Sequence, residues 1–100
     1  MSFQIALSPQ ADDDLRAITR WMAKSSPSKA DQWYEDFWVA LESLQEMPKR
    51  CPLIKEKVKP KGLRQLLYDK YRIIFSVGDG MVVVFHIRHQ NQAPLTSDDL

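Results

Sequence analysis

Few residues of this 100-residue chain are of a type that could carry chemistry: His86 and His89, the run Asp12-Asp13-Asp14, Cys51, and a set of lysines and arginines in the second half. The two histidines stand three apart in an apolar, strand-like stretch. Side chains at that spacing point to opposite faces, so a two-histidine metal site is not expected. One cysteine can form neither an internal disulfide nor a thiolate-cluster zinc site. Three consecutive aspartates fan around a helix rather than converge, and in a first turn they complement the helix dipole as solvated carboxylates. There is no glycine loop to cradle phosphate, no paired cysteine, and no His-x-x-x-His or His-Glu pair. Counting does not exclude a Ser-His-Asp triad, but nothing presents a nucleophile on a strained turn. No cofactor and no metal are expected.

The basic residues remain. Arg64, Arg72 and Arg88 fall on three predicted strands, whose side chains can come together on one face of a meander. Lys55, Lys57, Lys59 and Lys61 alternate just ahead of them and, if extended, project to one side. Guanidinium and ammonium groups focused on an open sheet face attract phosphates or carboxylates, so a nucleic-acid backbone or an acidic protein segment would fit. Lysines that only keep a sheet edge soluble are the plain alternative. The charge distribution points the same way. Residues 1–46 hold four Lys/Arg against eight Asp/Glu, and residues 47–89 hold ten against three, although the whole chain nets only +1. An acidic first half joined to a basic second half suggests an anionic partner for one face, though two ordinary solvated faces would leave the same asymmetry.

The elements that must position these groups are legible from periodicity. Phe3 to Leu7 alternates as a short half-buried strand does. Ser8-Pro9 then starts a helix, with serine as N-cap and proline at the first helical position. Ala11, Leu15, Ile18 and Met22 form one apolar stripe, which predicts a helix over 9–25. Ser25-Ser26-Pro27-Ser28 interrupts it, and a second helix capped by Ser26 or Ser28 runs to about 46. Its wider stripe includes Trp33, Tyr34, Phe37 and Trp38, read as core, with Trp38 partly exposed as a partner-facing patch. The short link makes the helices an antiparallel hairpin. Residues 47–62 read as a loop with a short turn near Leu53-Ile54. Strands follow at Leu63–Tyr68, Tyr71–Val77 and Met81–His89, linked by Asp69-Lys70 and Gly78-Asp79-Gly80. The last strand is apolar nearly throughout, which argues for a central place in the sheet. Gln90 to Leu100 has no period and reads as a tail.

The order β-α-α-β-β-β therefore predicts an α+β fold, a helical hairpin packed on a small antiparallel sheet, with residues 1–90 as the domain and 91–100 as a C-terminal tail. The composition, 44% hydrophobic and 27% charged, is that of one small folded domain. No apolar run approaches the roughly 18–20 residues of a membrane span, and no secretory signal precedes the first strand. A soluble cytoplasmic protein with no membrane partner is expected.

Several of these pieces, in this order, resemble the ParE/RelE superfamily of toxins from type II toxin–antitoxin modules, in particular plasmid-stabilisation proteins of the ParE branch. They are Leu7-Ser8-Pro9-x-Ala11 entering the first helix, Met47-Pro48 and Cys51-Pro52 after the second, Gly62-Leu63-Arg64, Tyr71-Arg72-Ile73-Ile74-Phe75, and the close at His89. The resemblance implies the same helical hairpin on a sheet, and a cognate antitoxin whose acidic or amphipathic C-terminal segment wraps the toxin. It implies one of two activities: RelE-like members cut mRNA in the ribosome, whereas ParE-like members inhibit DNA gyrase and are not known as catalysts. By position, Arg72 matches the arginine with which RelE-like members hold the scissile phosphate, and Arg64 matches a frequent arginine of the preceding strand. The chain departs from the pattern at its end, where His89-Gln90-Asn91-Gln92 follows and neither Arg nor Tyr occurs after Arg88. A ribosomal nuclease must activate a ribose hydroxyl and protonate a leaving oxygen, and only His86, His89 or a lysine is left to do so. That departure and the small net charge favour gyrase inhibition. A RelE-like nuclease using Arg72, His89 and Arg64, and a silent module that only binds antitoxin, are the alternatives. The expected binding residues are Lys55, Lys57, Lys59, Lys61, Arg64, Arg72, Arg88 and Trp38.

Overall fold

The computed structural model describes residues 2–100 and has the element order read from the sequence. Strand β1 (Gln4–Leu7) leads into helix α1 (Pro9–Ser25), which turns at once into helix α2 (Pro27–Glu42). Strands β2 (Arg64–Tyr68), β3 (Tyr71–Val77) and β4 (Met81–His89) complete a four-stranded sheet of order β1-β4-β3-β2. The last three pair antiparallel, and β1 adds to β4 in parallel, so the sheet is mixed and β4 is interior.

Both helices start by the same device. The Ser8 and Ser26 hydroxyls accept the N–H groups of Ala11 and Lys29, and each is followed by a proline whose missing N–H is no loss in a first turn. Ser26 also closes α1, since its N–H donates to the Met22 carbonyl while its extended backbone (φ −158°) ends one helix and opens the next. Ser26→Ala is expected to lower unfolding free energy by about 1 kcal/mol, measured by urea denaturation. The second helix stops four residues short of expectation, and Ser43–Gln45 continues it as a tighter 3₁₀ turn. Met47 then takes a left-handed conformation (φ 50°) that reverses the chain before Pro48.

The core lies between the helical hairpin and one sheet face. Phe37, Leu41 and Leu44 from the helical side meet Ile73, Phe75, Val82 and Val84, all with no exposed surface. Trp33 stacks on Phe37 with ring centroids 5.5 Å apart and meets Tyr71 edge-on at the same distance. Its indole N–H donates to Asp69 at 3.1 Å, and the Tyr68 hydroxyl donates to the Trp33 carbonyl at 3.0 Å. Trp38 is half-buried against this cluster, while Tyr34, expected in the core, is 43% exposed. Asp69 sits in the left-handed region (φ 53°), the turn geometry that lets β2 and β3 close with only Asp69-Lys70 between them.

The opposite sheet face is not bare. A second cluster of Val58, Leu63, Ile74 and Leu95, with Ile54 and Phe85, covers part of it. Leu95 belongs to the expected tail, which instead runs back across the sheet and ends in a short 3₁₀ turn, Ser97–Asp99. Leu95 stands in a mostly polar segment without period, so the sequence carries no signal for this return.

Candidate functional site

The register of the meander decides where the arginines go. Arg72 of β3 lies directly opposite Arg88 of β4, so these two share the sheet face away from the helices. Arg64 pairs with Phe75, a residue of the main core, and therefore faces the other way. There its guanidinium donates to the carbonyls of Lys49 (3.1 Å) and Cys51 (2.6 Å), tying the loop after α2 to the sheet edge. The expected grouping of three arginines on one face is thus corrected to a pair, because one residue of offset along a strand changes the face.

The loop ahead of β2 is extended but irregular, bridging β2 only at Leu53 and Arg64. Lys55, Lys57, Lys59 and Lys61 are all exposed, while Ile54, Glu56 and Val58 turn inward. Between the lysines lies a pocket of about 320 Å³ whose apolar lining includes Leu53, Ile54, Val58, Pro60 and Leu63.

Glu56 is the residue that sequence reasoning passed over. Its two carboxylate oxygens accept from Arg72 Nη1 and Nη2 at 2.7 and 2.8 Å, while Arg72 Nε donates to Gln65 at 2.8 Å. The Leu95 N–H donates to the same carboxylate at 3.1 Å. Hydrogen bonding to Arg72 outweighs desolvation and holds the Glu56 carboxyl down at about 2. Because the folded value is depressed, the stabilisation is present above the ordinary glutamate range and fades as pH falls from about 4.5 toward about 2. Acid titration of urea stability should show this loss in the native chain, and Glu56→Gln should flatten that limb. A readable signal existed, since Glu56 is the single acid inside an alternating lysine run. Beside this clamp lies a shallow groove of about 480 Å³ lined by Lys55, Glu56, Gln65, Arg72, Gln90, Gln92 and Pro94.

Arg88 is buried and donates to the Ala93 carbonyl at 2.7 Å, with the Asp99 carboxylate 3.8 Å away. Asp99 lies below the usual carboxylate range, chiefly because its carboxylate accepts the Thr96 N–H, with the Thr96 hydroxyl, Arg88 and His86 adding.

The histidines separate as their spacing predicts. His89 lies opposite Tyr71 on the helix side, edge-to-face at 5.3 Å, and its Nδ1 accepts the Asn91 N–H at 3.1 Å. His86 pairs with Ile74 on the arginine face, just after a bulge that leaves Phe85 unpaired. Its Nδ1 meets Asp14 Oδ2 at 3.0 Å, and its Nε2 meets the Asp99 carbonyl. Asp14 was read as a solvated dipole charge, and that expectation is corrected. Pairing with β1 ends at Val84, and Asp14 takes over by accepting the Ile87 N–H at 3.0 Å. Asp12 does stay at the surface, paired with Arg16.

Burial raises the Cys51 thiol above its ordinary range despite Arg50 and Arg64 nearby, so it is a packing residue and a poor nucleophile at neutral pH. Among the described residues no group of three His, Cys, Asp or Glu could hold a metal ion, and no helix is long and apolar enough to cross a membrane.

Chemically, the arginine face offers guanidinium groups already engaged by intrachain carboxylates and carbonyls, and a histidine whose ring nitrogens are both taken. It is built to hold loop, sheet and terminus together. The exposed charge is on the lysine loop, and the exposed apolar groups on the helical hairpin are Trp21, Tyr34 and Val39.

Comparison with known proteins agrees with the fold. The chromosomal ParDE toxin–antitoxin system of P. aeruginosa contains a chain that superposes with a TM-score of 0.72 at 20% identity, covering 88% of this chain and 96% of that one. The toxin–antitoxin complex RelBE2 of Mycobacterium tuberculosis contains another, with a TM-score of 0.61 at 18% identity, covering 92% and 95%. No curated protein matches the sequence. The model of one family, described as the ParE toxin of the type II toxin–antitoxin system parDE, matches residues 5–94, and with nine-tenths of its length so matched the chain belongs to the ParE toxin family.

Proposed function

We propose that this toxin acts in the ParE manner: free in the cytoplasm it inhibits DNA gyrase and so replication, and a cognate antitoxin silences it. The observation that supports this reading over mRNA cleavage is the bidentate Glu56–Arg72 pair. A nuclease would need Arg72 free for a scissile phosphate, and here an internal carboxylate already holds both terminal nitrogens. His89 is on the other side of the sheet, so the two groups that a RelE-like mechanism would combine do not converge.

The antitoxin segment that fits is acidic with an apolar side chain. The exposed lysines supply the charge, and the pocket between them takes the side chain. Replacing Lys57, Lys59 and Lys61 together by Glu is expected to raise the Kd for antitoxin roughly tenfold or more in low salt and less in high salt, measured by calorimetry at two ionic strengths.

Controlled expression without antitoxin tests the activity. Filamentous cells, an SOS response and gyrase-dependent DNA breaks are expected. Rapid loss of translation with cuts in ribosome-bound mRNA would overturn the reading, and no growth defect at all would leave a binding module. Arg72→Ala and His89→Ala are expected to retain toxicity wherever the protein still folds. Changes at the helical surface, such as Trp38→Ala, should matter at least as much.

A further inference from the structure

The C-terminal segment 93–100 is held to the sheet without joining it. Its attachments are the buried Leu95, the Leu95 N–H on Glu56, the Ala93 carbonyl on Arg88, and the Asp99 carbonyl on His86. The last of these sets a condition on the ring. A backbone carbonyl can only accept a hydrogen bond, so Nε2 must donate to it. On the other side Asp14 Oδ2 already accepts the Ile87 N–H, and as a carboxylate oxygen it calls for a donor from Nδ1 as well. A neutral imidazole has one N–H and satisfies one of the two contacts. Imidazolium satisfies both.

We propose that the C-terminal segment is a proton-dependent strap, docked when His86 is an imidazolium and loosened when it is neutral. The two carboxylates around the ring agree in sign. The Asp14 carboxylate faces it from α1 and the Asp99 carboxylate lies in the strap turn. Both are anionic, while Arg88 on the same strand is drawn toward Asp99 and Ala93. Arg72 and Glu56, farther along this face, neutralise each other, and Lys55 beside them is exposed to solvent. Docking is therefore favoured when the ring carries both protons and weakened when one of them leaves. Release would uncover Arg88, whose Nε has no partner even in the docked state, and would remove one of the bonds on Glu56. The arginine face would thus open as the proton leaves. The strap is independent of the toxin's target, since it involves only how the chain covers its own sheet.

The test is NMR of the full ¹⁵N-labelled chain at pH 5.5 and pH 8. The heteronuclear NOEs of Leu95 and Asp99 should match those of the sheet at low pH, and the docked-to-open ratio should fall about tenfold at high pH, as expected for losing one charge-assisted hydrogen bond. In His86→Asn that pH dependence should vanish. Should that variant fail to fold, Asp14→Asn provides a second reading, in which the fall between the two pH values should shrink. Strap NOEs unchanged with pH in the native chain would overturn the proposal, as would an equal pH-dependent loss in His86→Asn.

Discussion

Glu56→Ala is expected to lower the unfolding free energy by about 2–3 kcal/mol, more than almost any other change outside the core. The carboxylate is the partner of both terminal nitrogens of Arg72 and of the Leu95 N–H, and the two side chains are only 12% and 16% exposed. Removing it leaves a guanidinium largely out of water with Gln65 as its main remaining partner. The figure is set below the 3–5 kcal/mol typical of a fully buried pair because both groups keep some contact with solvent. Arg72→Ala should cost a similar amount, and the double variant should be more stable than the sum of the two losses implies, since neither partner is then left alone. Urea unfolding of the four proteins gives the coupling directly. A coupling under about 0.5 kcal/mol would show that the pair is an ordinary surface contact and that Arg72 is free to engage another partner.

Phe37→Ala is the second large effect, about 3–5 kcal/mol. The ring has no exposed surface and touches Trp33, Trp38 and Tyr68 at centroid separations of 5.5, 5.9 and 5.9 Å. It joins α2 to the meander, so its loss leaves a cavity where the two layers meet rather than at a margin that could collapse. In a domain of this size the melting temperature should fall by roughly 15 °C or more. Trp21→Ala makes the control, because that side chain is 66% exposed and its removal should change stability by less than about 0.5 kcal/mol. Toxicity lost in Phe37→Ala with stability intact would instead mean that the ring acts in recognition.

The parts of this molecule that were readable in the sequence are those written by short-range rules. Ser-Pro starts, an apolar stripe at helical spacing, and β-branched runs divided by Asp-Lys and Gly-Asp-Gly placed both α-helices and the four strands in order. The apolar run of β4 gave its interior position. What stayed hidden depends on register and on distant partners. Whether Arg64 joins Arg72 turns on a single residue of offset, which the composition of β2 does not specify because Leu66 and Leu67 are equally apolar. Asp14 resembles its neighbours Asp12 and Asp13 until the end of β1 exposes the Ile87 N–H to it. The return of the tail rests on Leu95 filling a gap made by Val58, Leu63 and Ile74, three residues from different stretches of chain. The lysines of the loop are exposed, and the acid among them, Glu56, holds Arg72 and the Leu95 N–H on the sheet face beside them.

The basic half of the chain looked like one anion-binding surface, and the structure divides it in two. The arginines are spent inside the protein and the lysines face outward. A toxin so arranged has little to offer a scissile phosphate and much to offer a protein partner, in keeping with the proposed ParE manner of action.

The most direct measurement is a purified assay run in parallel on both targets. Increasing amounts of the free toxin are added to DNA gyrase, ATP and relaxed plasmid, and separately to ribosomes programmed with a labelled mRNA. Loss of supercoiling with accumulation of cleaved plasmid, and intact mRNA, is the predicted result. Unimpaired supercoiling together with cuts in the ribosome-bound message would contradict it.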